Sequence, residues 1–372
     1  MKLTGLKVVD LSWFLPGPCL TMALADHGAE VIKVEPPGEG DPGRAIAPMD
    51  QRTSVFFRNL NRGKQSVVLD LKDPAGRDAL LRLADCADVL VESFRPGVAA
   101  RLGFGYDTVS ARNPRIVYCA VTAFGQHGAY GTRPAHDLAL EALTGVLSLT
   151  LGDDGRPAIP GIPVADLVSG LQGLSGVLMA LLRRHETGRG DYIDIAMHDA
   201  LFAACPNVLG PVVTDGLHPV VKHQRSTGGS AFYQIYDTRD GRQLVLAGQE
   251  AKFVHALLNA LGRPDLAPLC ARGPGAHQQP VIDFLRETFR QRSLAEWMEY
   301  LATLDVCYAP VNTLPEALED PNLRARNSLL TDDSGRRHIA PPIRFRDEPA
   351  RPVLREPLIG EHSTQVLAVT EQ

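Results

Sequence analysis

The sequence predicts an α/β protein in which a doubly wound, mostly parallel, Rossmann-like sheet is followed by a smaller α+β domain. Three observations support this fold class. Short apolar segments typical of buried strands recur through the first half of the chain. Segments with helix-start signals separate them, and this alternation is expected of a parallel sheet. Later in the chain, two strand-like segments flank a turn at Asp240-Gly241, which predicts a hairpin in a second unit.

The elements of the first half follow from these signals in chain order. Asp73 followed by Pro74 predicts a helix start, because Asp is a preferred N-cap and Pro suits the first helical position. From residue 137 to about residue 184 the chain is expected to be mainly helical. The segments predicted as strands are 6–11, 29–34, 66–71, 88–91, 116–121 and 192–196.

The second half predicts a hairpin, several helices and a Pro-rich tail that returns to the first domain. Residues 206–228 are rich in Pro, Gly, Val and His and are interpreted as a linker. We therefore expect a large domain formed by 1–205 with 321–372, and a small domain at 206–320 that includes the linker. The hairpin strands are expected at 232–236 and 243–247, and the helices at 251–261, 280–290 and 294–304.

Composition narrows the class of function. The chain has 372 residues, a net charge of −5 and mixed charges, which argues against general binding of nucleic acid or an anionic membrane. Its six cysteines form no C-x-x-C pair, so reduced thiols are expected rather than a disulfide framework or a metal site. The apolar stretch after Asp166 is judged too short and too polar to span a bilayer. A cytoplasmic protein is expected.

Two common nucleotide-binding motifs are missing. The turn after the first strand reads Ser-Trp-Phe-Leu-Pro-Gly-Pro-Cys from Ser12 to Cys19, without the pattern G-x-G-x-x-G. No G-x-x-x-x-G-K-[ST] pattern occurs either. The sequence therefore disfavours an NAD or ATP enzyme.

Asp166 is the most informative residue, because it is the one charged side chain between Pro160 and Leu182. An unpaired carboxylate in apolar surroundings is costly to bury or has a raised pKa. Such a group suits a nucleophile or a proton carrier. The alternative is an N-cap, since Pro163 precedes it and an apolar helix follows.

Basic residues lie in loops of the first half: Arg44, Arg62, Lys64, Arg95 and Arg101. Arg95 follows a predicted strand directly, and ligands of doubly wound sheets gather at the carboxyl ends of strands. Arg also matches phosphate geometry. A phosphate-bearing ligand is thus expected, although each charge taken alone fits ordinary surface charge.

Four further positions have both a chemical and a structural interpretation. His136 suits proton transfer at neutral pH, or begins a helix beside a capping Asp137. Gly228-Gly229 forms a tight turn or a flap over a ligand. Glu250 is a helix-start carboxylate or a second proton carrier.

Taken together, the chain resembles the family III CoA-transferases, the CaiB/BaiF superfamily, over nearly its whole length. The segments that carry the resemblance are 3–11, 28–37, Gly40-Asp41, 61–66, 69–72, 92–97, 187–190 and 194–199. The resemblance implies an interlocked homodimer that takes acyl-CoA and carboxylic acid substrates. It also implies no tightly bound cofactor and no metal, with coenzyme A entering as part of the substrate.

The resemblance implies roles for the residues above. Arg95, Arg101, Arg62 and Lys64 are expected around the CoA nucleotide, with Arg44 among the cofactor-binding candidates. Asp166 matches the catalytic aspartate, which forms an acyl-aspartyl anhydride and then an aspartyl-CoA thioester. Asp137 matches an acidic position beside it, and Gly228-Gly229 matches the loop that shields the intermediates.

Two residues depart from the better-known transferases and are similar to α-methylacyl-CoA racemases of the same superfamily. These are His136 and Glu250. In such racemases the histidine, together with the aspartate that Asp166 matches, moves the α-proton on one face, and the glutamate works on the other. The Ile-Asn-Tyr expected after His-Asp in racemases is replaced by Leu138-Ala-Leu. CoA transfer is therefore the favoured prediction, racemisation is the alternative, and a non-catalytic acyl-CoA binder is a third class. The acyl group and acceptor acid are left open.

Overall fold

The computed structural model describes residues 1–50, 53–152 and 154–369. The chain forms two compact units. The large unit comprises Met1–Ala204 and the chain from Asn322 onward, and the small unit comprises Cys205–Pro321.

The strands alternate with helices through the first half of the chain. The strands are β1 (Lys7–Leu11), β2 (Glu30–Glu35), β3 (Met49–Asp50), β4 (Thr53–Ser54), β5 (Gln65–Val68), β6 (Val89–Glu92), β7 (Val117–Thr122), β8 (Asp191–Ala196), β9 (Tyr233–Asp237), β10 (Gln243–Ala247), β11 (Tyr308–Pro310), β12 (Leu329–Thr331) and β13 (Arg337–Ile339).

The helices are mostly short, with one long exception. They are α1 (Pro16–Asp26), α2 (Val55–Asn61), α3 (Pro74–Asp85), α4 (Val98–Arg101), α5 (Tyr106–Arg112), α6 (Asp137–Leu143), α7 (Val164–Thr187), α8 (Met197–Ala203), α9 (Gly210–Asp215), α10 (Ala251–Ala260), α11 (Ala267–Ala271), α12 (Gln279–Phe289), α13 (Leu294–Leu301), α14 (Leu314–Leu318), α15 (Pro321–Ala325) and α16 (Ser363–Val369). Short 3₁₀ turns lie at Pro42–Ala45, Val146–Leu149, Val221–His223, Pro264–Leu266 and Ala276–Gln278.

The large unit is built on a six-stranded sheet with the order β5-β2-β1-β6-β7-β8. All its neighbouring strands run parallel. This confirms the predicted α/β fold class. Every residue of β6 and β7 is buried, as expected of inner strands covered by helices on both faces. The predicted start of α3 is also confirmed, because the Asp73 side chain accepts a hydrogen bond from the Ala75 N–H.

The chain changes direction across this sheet at β1. One neighbour of β1 is β2, which follows it in sequence, and the other is β6. Connections on the two sides therefore lead away from each other and leave a crevice outside the carboxyl ends of β1 and β6. In open α/β sheets this is where ligands bind.

A buried ionic cluster, which we call the Asp10 cluster, holds the turn that follows β1. It comprises Asp10, Lys33, Asp41 and Lys64. Lys64 Nζ lies 2.9 Å from Asp10 Oδ2, and Lys33 Nζ lies 2.8 Å from Asp41 Oδ2. Burial alone would raise the pKa of Asp10, but the charges of Lys64 and Lys33 hold it well below its ordinary value. All four side chains are buried, so each charge depends on its partners inside the fold.

The small unit combines a three-stranded antiparallel sheet, ordered β11-β10-β9, with helices. The predicted hairpin is confirmed as the β9–β10 pair. The core of the small unit includes Phe232, Phe289 and Trp297. The predicted helices correspond to α10, α12 and α13. The segment interpreted as an irregular linker contains α9 and a 3₁₀ turn, so it is more ordered than its composition indicates.

The long helix α7 corrects one prediction. It has 24 residues and, within the described part of the chain, is the one helix long and apolar enough to cross a membrane by length and composition. The stretch after Asp166 is therefore longer and more continuous than judged from its polar residues. Only 33% of the most apolar part of α7 is buried in this chain. Leu171, Met179 and Leu182 are exposed by 58%, 68% and 74%, so one side of α7 is an open apolar surface.

Candidate active site

A cavity of about 380 Å³ opens at the carboxyl edge of the large sheet. It lies where the chain changes direction between β1 and β6, and it is built entirely from the large unit. Its wall consists of segments that follow β1, β6 and β7, together with the starts of α6 and α7. The lining residues are Trp13, Phe14, Pro16, Ser93, Phe94, Arg95, Pro96, Val121, Thr122, Ala123, Gly131, Arg133, Pro134, Ala135, His136, Asp166 and Met197.

Three sequence-predicted residues from separate parts of the chain meet in this cavity, namely Arg95, His136 and Asp166. Arg95 follows β6, His136 precedes α6, and Asp166 lies in the first turn of α7. The cavity walls are largely apolar and aromatic, with a few polar groups among them, as is typical of a small-molecule site. One small ligand in this cavity could therefore contact all three residues.

Asp166 is the third residue of α7, and Pro163 occupies the N-cap position. The interpretation of Asp166 as the N-cap is therefore wrong. No described residue donates a hydrogen bond to its carboxylate. Only the backbone of Asp166 is bonded to side chains: its N–H donates to Asp137, and its carbonyl accepts from Ser169. The carboxylate is half-buried and lines the cavity, so it is available to a ligand.

Asp137 holds the start of α7 from the neighbouring helix. The Asp166 N–H donates to Asp137 Oδ1 at 3.1 Å. Asp137 is itself the first residue of α6, and His136 occupies the N-cap position of that helix without a side-chain capping bond. Asp137 thus caps a helix, as one interpretation of the sequence expected, but the helix is α7. This bond ties the two helix starts, and hence His136 and Asp166, to each other.

Burial and the nearby negative charge of Asp137 raise the pKa of Asp166 to about 7. Burial is the larger cause, since it disfavours the charged form, and Asp137 adds like-charge repulsion. Near neutral pH the protonated and ionised forms of Asp166 are therefore both populated. A carboxyl group in this condition serves equally as a nucleophile or as a proton carrier.

The imidazole of His136 faces an aromatic ring at the cavity mouth. The ring centroids of Phe14 and His136 are 6.0 Å apart, at an interplanar angle of 84°. Phe14 has φ of +61°, a left-handed conformation that is strained for a bulky residue. Hydrogen bonds to the two residues before Phe14 hold this turn: Lys33 Nζ donates to the Ser12 carbonyl, and Trp13 N–H donates to Ser93 Oγ.

The predicted basic residues fall into two groups. Arg95 and Arg101 are exposed and form no ion pair with any residue that the structure describes. Both lie in the connection after β6, and Arg95 also lines the cavity. Their guanidinium groups are therefore free to meet an anionic ligand.

The second group is already engaged inside the fold. Lys64 is part of the Asp10 cluster, Arg62 pairs with Asp26 at 2.8 Å, and Arg44 forms a two-pronged pair with Glu35. Arg62 and Lys64 are almost fully buried. Direct contact between either of them and a nucleotide would require these side chains to become exposed.

The remaining candidates belong to the small unit. Gly228 has φ of +101°, and a side chain at Gly229 would meet the backbone of His223 at 2.2 Å, so both positions require glycine. The Gly229 N–H donates to the Gln224 carbonyl within the unit. Glu250 is exposed at the N-cap position of α10 and makes no side-chain capping bond.

Sequence reasoning missed several residues of the cavity. Trp13, Phe14 and Phe94 form aromatic walls, and Arg133 adds a second exposed cation close to His136. Their positions in the sequence could have indicated them, since each lies just after a predicted strand or just before His136. Among the residues that the structure describes, no group of three or more His, Cys, Asp or Glu side chains is placed to hold a metal ion.

Comparison with known proteins identifies the family. The family model for CoA-transferase family III matches residues 3–363. The chain belongs to CoA-transferase family III. The CaiB/BaiF-type fold agrees with this assignment: a CaiB/BaiF family protein from Brucella suis superimposes with a TM-score of 0.85, at 31% identity over 99% of both chains.

Curated members of the family include enzymes of two reaction types. Acetyl-CoA:oxalate CoA-transferase from Acetobacter aceti is 34% identical over 88% of this chain and 85% of its own length. Human succinyl-CoA:glutarate CoA-transferase is 30% identical over 98% and 85%. Human α-methylacyl-CoA racemase is 33% identical over 99% and 93%. Identity alone therefore does not separate transfer from racemisation within the family.

The electrostatic role of Asp137 can be tested without substrate. Asp137→Asn keeps an oxygen that accepts the Asp166 N–H but removes the negative charge. We expect the pKa of Asp166 to fall from about 7 by roughly one pH unit. Burial, the larger cause, remains and keeps it above its ordinary value. The ionised form of Asp166 then persists to lower pH. Carbon-13 NMR titration of labelled aspartates measures this shift.

Asp199→Asn is the matched control, because Asp199 lies in α8 and its side chain is 82% exposed. It should leave the Asp166 titration unchanged. An unshifted Asp166 titration in Asp137→Asn would contradict the electrostatic coupling between these two carboxylates.

Proposed function

We propose that this protein moves coenzyme A between carboxylic acids, with Asp166 as the nucleophile. The observation that carries the proposal is the Asp166 carboxylate itself. It lines a cavity at the sheet's switch point, and no described residue donates a hydrogen bond to it. Its pKa of about 7 supplies the ionised, nucleophilic form at neutral pH.

The reaction proceeds in balanced steps. The ionised Asp166 carboxylate attacks the thioester carbonyl of the donor acyl-CoA; the C–S bond breaks, an acyl-aspartyl anhydride forms and CoA leaves as the thiolate. The thiolate then attacks the aspartyl carbonyl, which releases the donor acid and leaves an aspartyl-CoA thioester. An incoming carboxylate repeats the sequence in reverse, so a new acyl-CoA departs and the Asp166 carboxylate is regenerated.

Free cations near the cavity support binding of a CoA substrate. Arg95 and Arg101 are exposed and unpaired among the described residues, and an Arg fork matches the oxygens of a phosphate. We assign the phosphate contacts to these two residues. Gly228 and Gly229 are proposed to shield the covalent intermediates, as the family resemblance implies.

Racemisation of a 2-methylacyl-CoA is the alternative, and the position of His136 favours it. His136 lines the same cavity as Asp166, and an imidazole there suits abstraction of a proton from carbon α. This reaction needs a second acid/base group, which the alternative assigns to Glu250. The similarity to α-methylacyl-CoA racemase over 99% of this chain also supports keeping this candidate.

We also propose that the protein is a homodimer in which a second copy covers the open side of α7. Leu171, Leu178, Met179 and Leu182 recur at helical spacing and are at least 40% exposed. A contiguous apolar surface of this kind marks an interaction site. The interlocked dimer implied by the family resemblance would bury it.

Trapping experiments test the nucleophile. After incubation with an acyl-CoA and hydroxylamine, we expect intact-protein and peptide mass spectra to show a hydroxamate at Asp166. Asp166→Ala should lose turnover by at least about 10³-fold while CoA affinity, measured by calorimetry, is retained. Turnover that survives the substitution would refute the proposal.

Isotope exchange separates the two reactions. We incubate the enzyme with a (2R)-methylacyl-CoA in D2O without any acceptor acid. A CoA-transferase should leave the α-hydrogen in place, whereas a racemase incorporates deuterium. If the rate of deuterium incorporation falls at least about 10²-fold in both His136→Gln and Glu250→Gln, the protein is a racemase. If no deuterium is incorporated and CoA transfer depends on an acceptor acid, racemisation is excluded.

The oligomeric state tests the surface of α7. Sedimentation velocity of the wild-type protein should give a dimer. Met179→Glu combined with Leu182→Glu should give monomer or aggregate, because two buried charges oppose association. Leu314→Glu, at a residue that is 84% exposed in the small unit, serves as control. A monomeric wild type, or one that partitions onto lipid vesicles, would contradict the proposal.

A further inference from the structure

Behind Asp137 lies a carboxylate that the proposed reaction does not use. Glu141 follows Asp137 by one helical turn in α6, a spacing that places the two side chains on the same face. Its side chain is fully buried, with 0% exposure. Neither of its carboxylate oxygens has a hydrogen-bond donor among the residues that the structure describes. An ionised carboxylate in this position would be a buried charge without compensation.

The helices and the 3₁₀ turn that pack most extensively against α6 provide no cation to compensate Glu141. They are α7, α8 and the 3₁₀ turn at Val146–Leu149. The nearest ionisable side chain of α7 is Asp166, and the other charges of that helix lie at its far end. Helix α8 carries His198 and Asp199, which form a pair with each other. The 3₁₀ turn has no ionisable side chain. Asp137 is therefore the charged group that acts on Glu141.

The interaction between Asp137 and Glu141 requires a proton. Burial is the largest cause, and the neighbouring carboxylate of Asp137 adds to it; together they raise the pKa of Glu141. Two ionised carboxylates repel each other, whereas a protonated Glu141 donates a hydrogen bond to an ionised Asp137. Asp137 Oδ1 also accepts the Asp166 N–H.

We propose that Glu141 is a positioning residue for Asp166: its protonated carboxyl donates a hydrogen bond to Asp137, and Asp137 in turn holds the first turn of α7. The carboxyl groups of Asp137 and Glu141 then carry one negative charge between them. Asp166 is spared a second neighbouring anion, which would make its ionisation harder. This inference rests on the proposed role of Asp166, although the protonation of Glu141 itself does not.

Kinetics of two substitutions test the positioning role. Glu141→Gln keeps a hydrogen-bond donor and cannot ionise, so kcat near pH 7 should stay within about threefold of wild type. Glu141→Leu removes the donor, so kcat should fall about tenfold or more with little change in KM for the acyl-CoA. At alkaline pH the wild type should lose kcat relative to Glu141→Gln, since only the wild type gains a second charge. Wild-type kcat in Glu141→Leu, or superimposable pH profiles of wild type and Glu141→Gln, would overturn the inference.

Thermal stability gives a readout that does not depend on catalysis. A carboxyl group whose pKa is raised by folding stabilises the fold below its unfolded pKa, and this contribution is lost as the pH rises through the folded pKa. The Tm of Glu141→Gln minus that of wild type should therefore grow by about 2 °C or more between about pH 5 and pH 9. A flat difference would overturn the inference even if Glu141→Leu does not fold. A wild type without CoA transfer would count against the proposed function, and this stability difference would still decide the protonation of Glu141.

Discussion

The buried pair between Asp10 and Lys64 is the interaction on which the site depends. Lys64 reaches Asp10 from the end of α2, and it also donates to the Pro18 carbonyl and to Asn61. Strand β1, the start of α1 and the end of α2 are thus tied to one ammonium group. Removing one partner of such a pair leaves an uncompensated buried charge, which costs about 3–5 kcal/mol. The turn that carries Trp13 and Phe14 into the cavity wall is built on this anchor.

At the opposite wall of the cavity, the Asp166 carboxylate is partly buried and still available for chemistry. Asp166 is held in the first turn of α7, where a helix dipole favours a negative charge, yet burial and Asp137 raise its pKa to about 7. The result is a carboxylate that is reactive and not locked into a salt bridge. Lys64 and Arg62, by contrast, are paired with the buried aspartates Asp10 and Asp26. The contrast between Asp166, which forms no ion pair with any described residue, and the paired Asp10 and Asp26 therefore underlies the proposed chemistry.

Much of the fold could be predicted because its signals are local. The apolar strands, the Asp73-Pro74 helix start and the β9–β10 hairpin each depend on neighbouring residues, and all are found in the structure. Predictions failed where a residue's role depends on distant packing. The N-cap, one of the two interpretations of Asp166, is wrong: Pro163 occupies that position, and the Asp166 N–H donates to Asp137, 29 positions away. The expectation that the stretch after Asp166 is too short and too polar to span a bilayer is wrong by length and composition, because scattered polar residues interrupt its apolar sequence without ending α7.

The sequence by itself determined the α/β class, the family and the isolation of Asp166 in an apolar segment, because strand patterns, motifs and the absence of nearby charges are visible in one dimension. Only the tertiary structure decided what each charge does. Arg95, Lys64 and Arg62 look alike in loops of the sequence, but the fold leaves the first exposed at a cavity and buries the other two against aspartates. Glu141 reads as an ordinary helix carboxylate, and only packing removes it from water and leaves Asp137 as its partner. Desolvation and partner geometry, which set these roles, arise from the folded chain and not from local sequence.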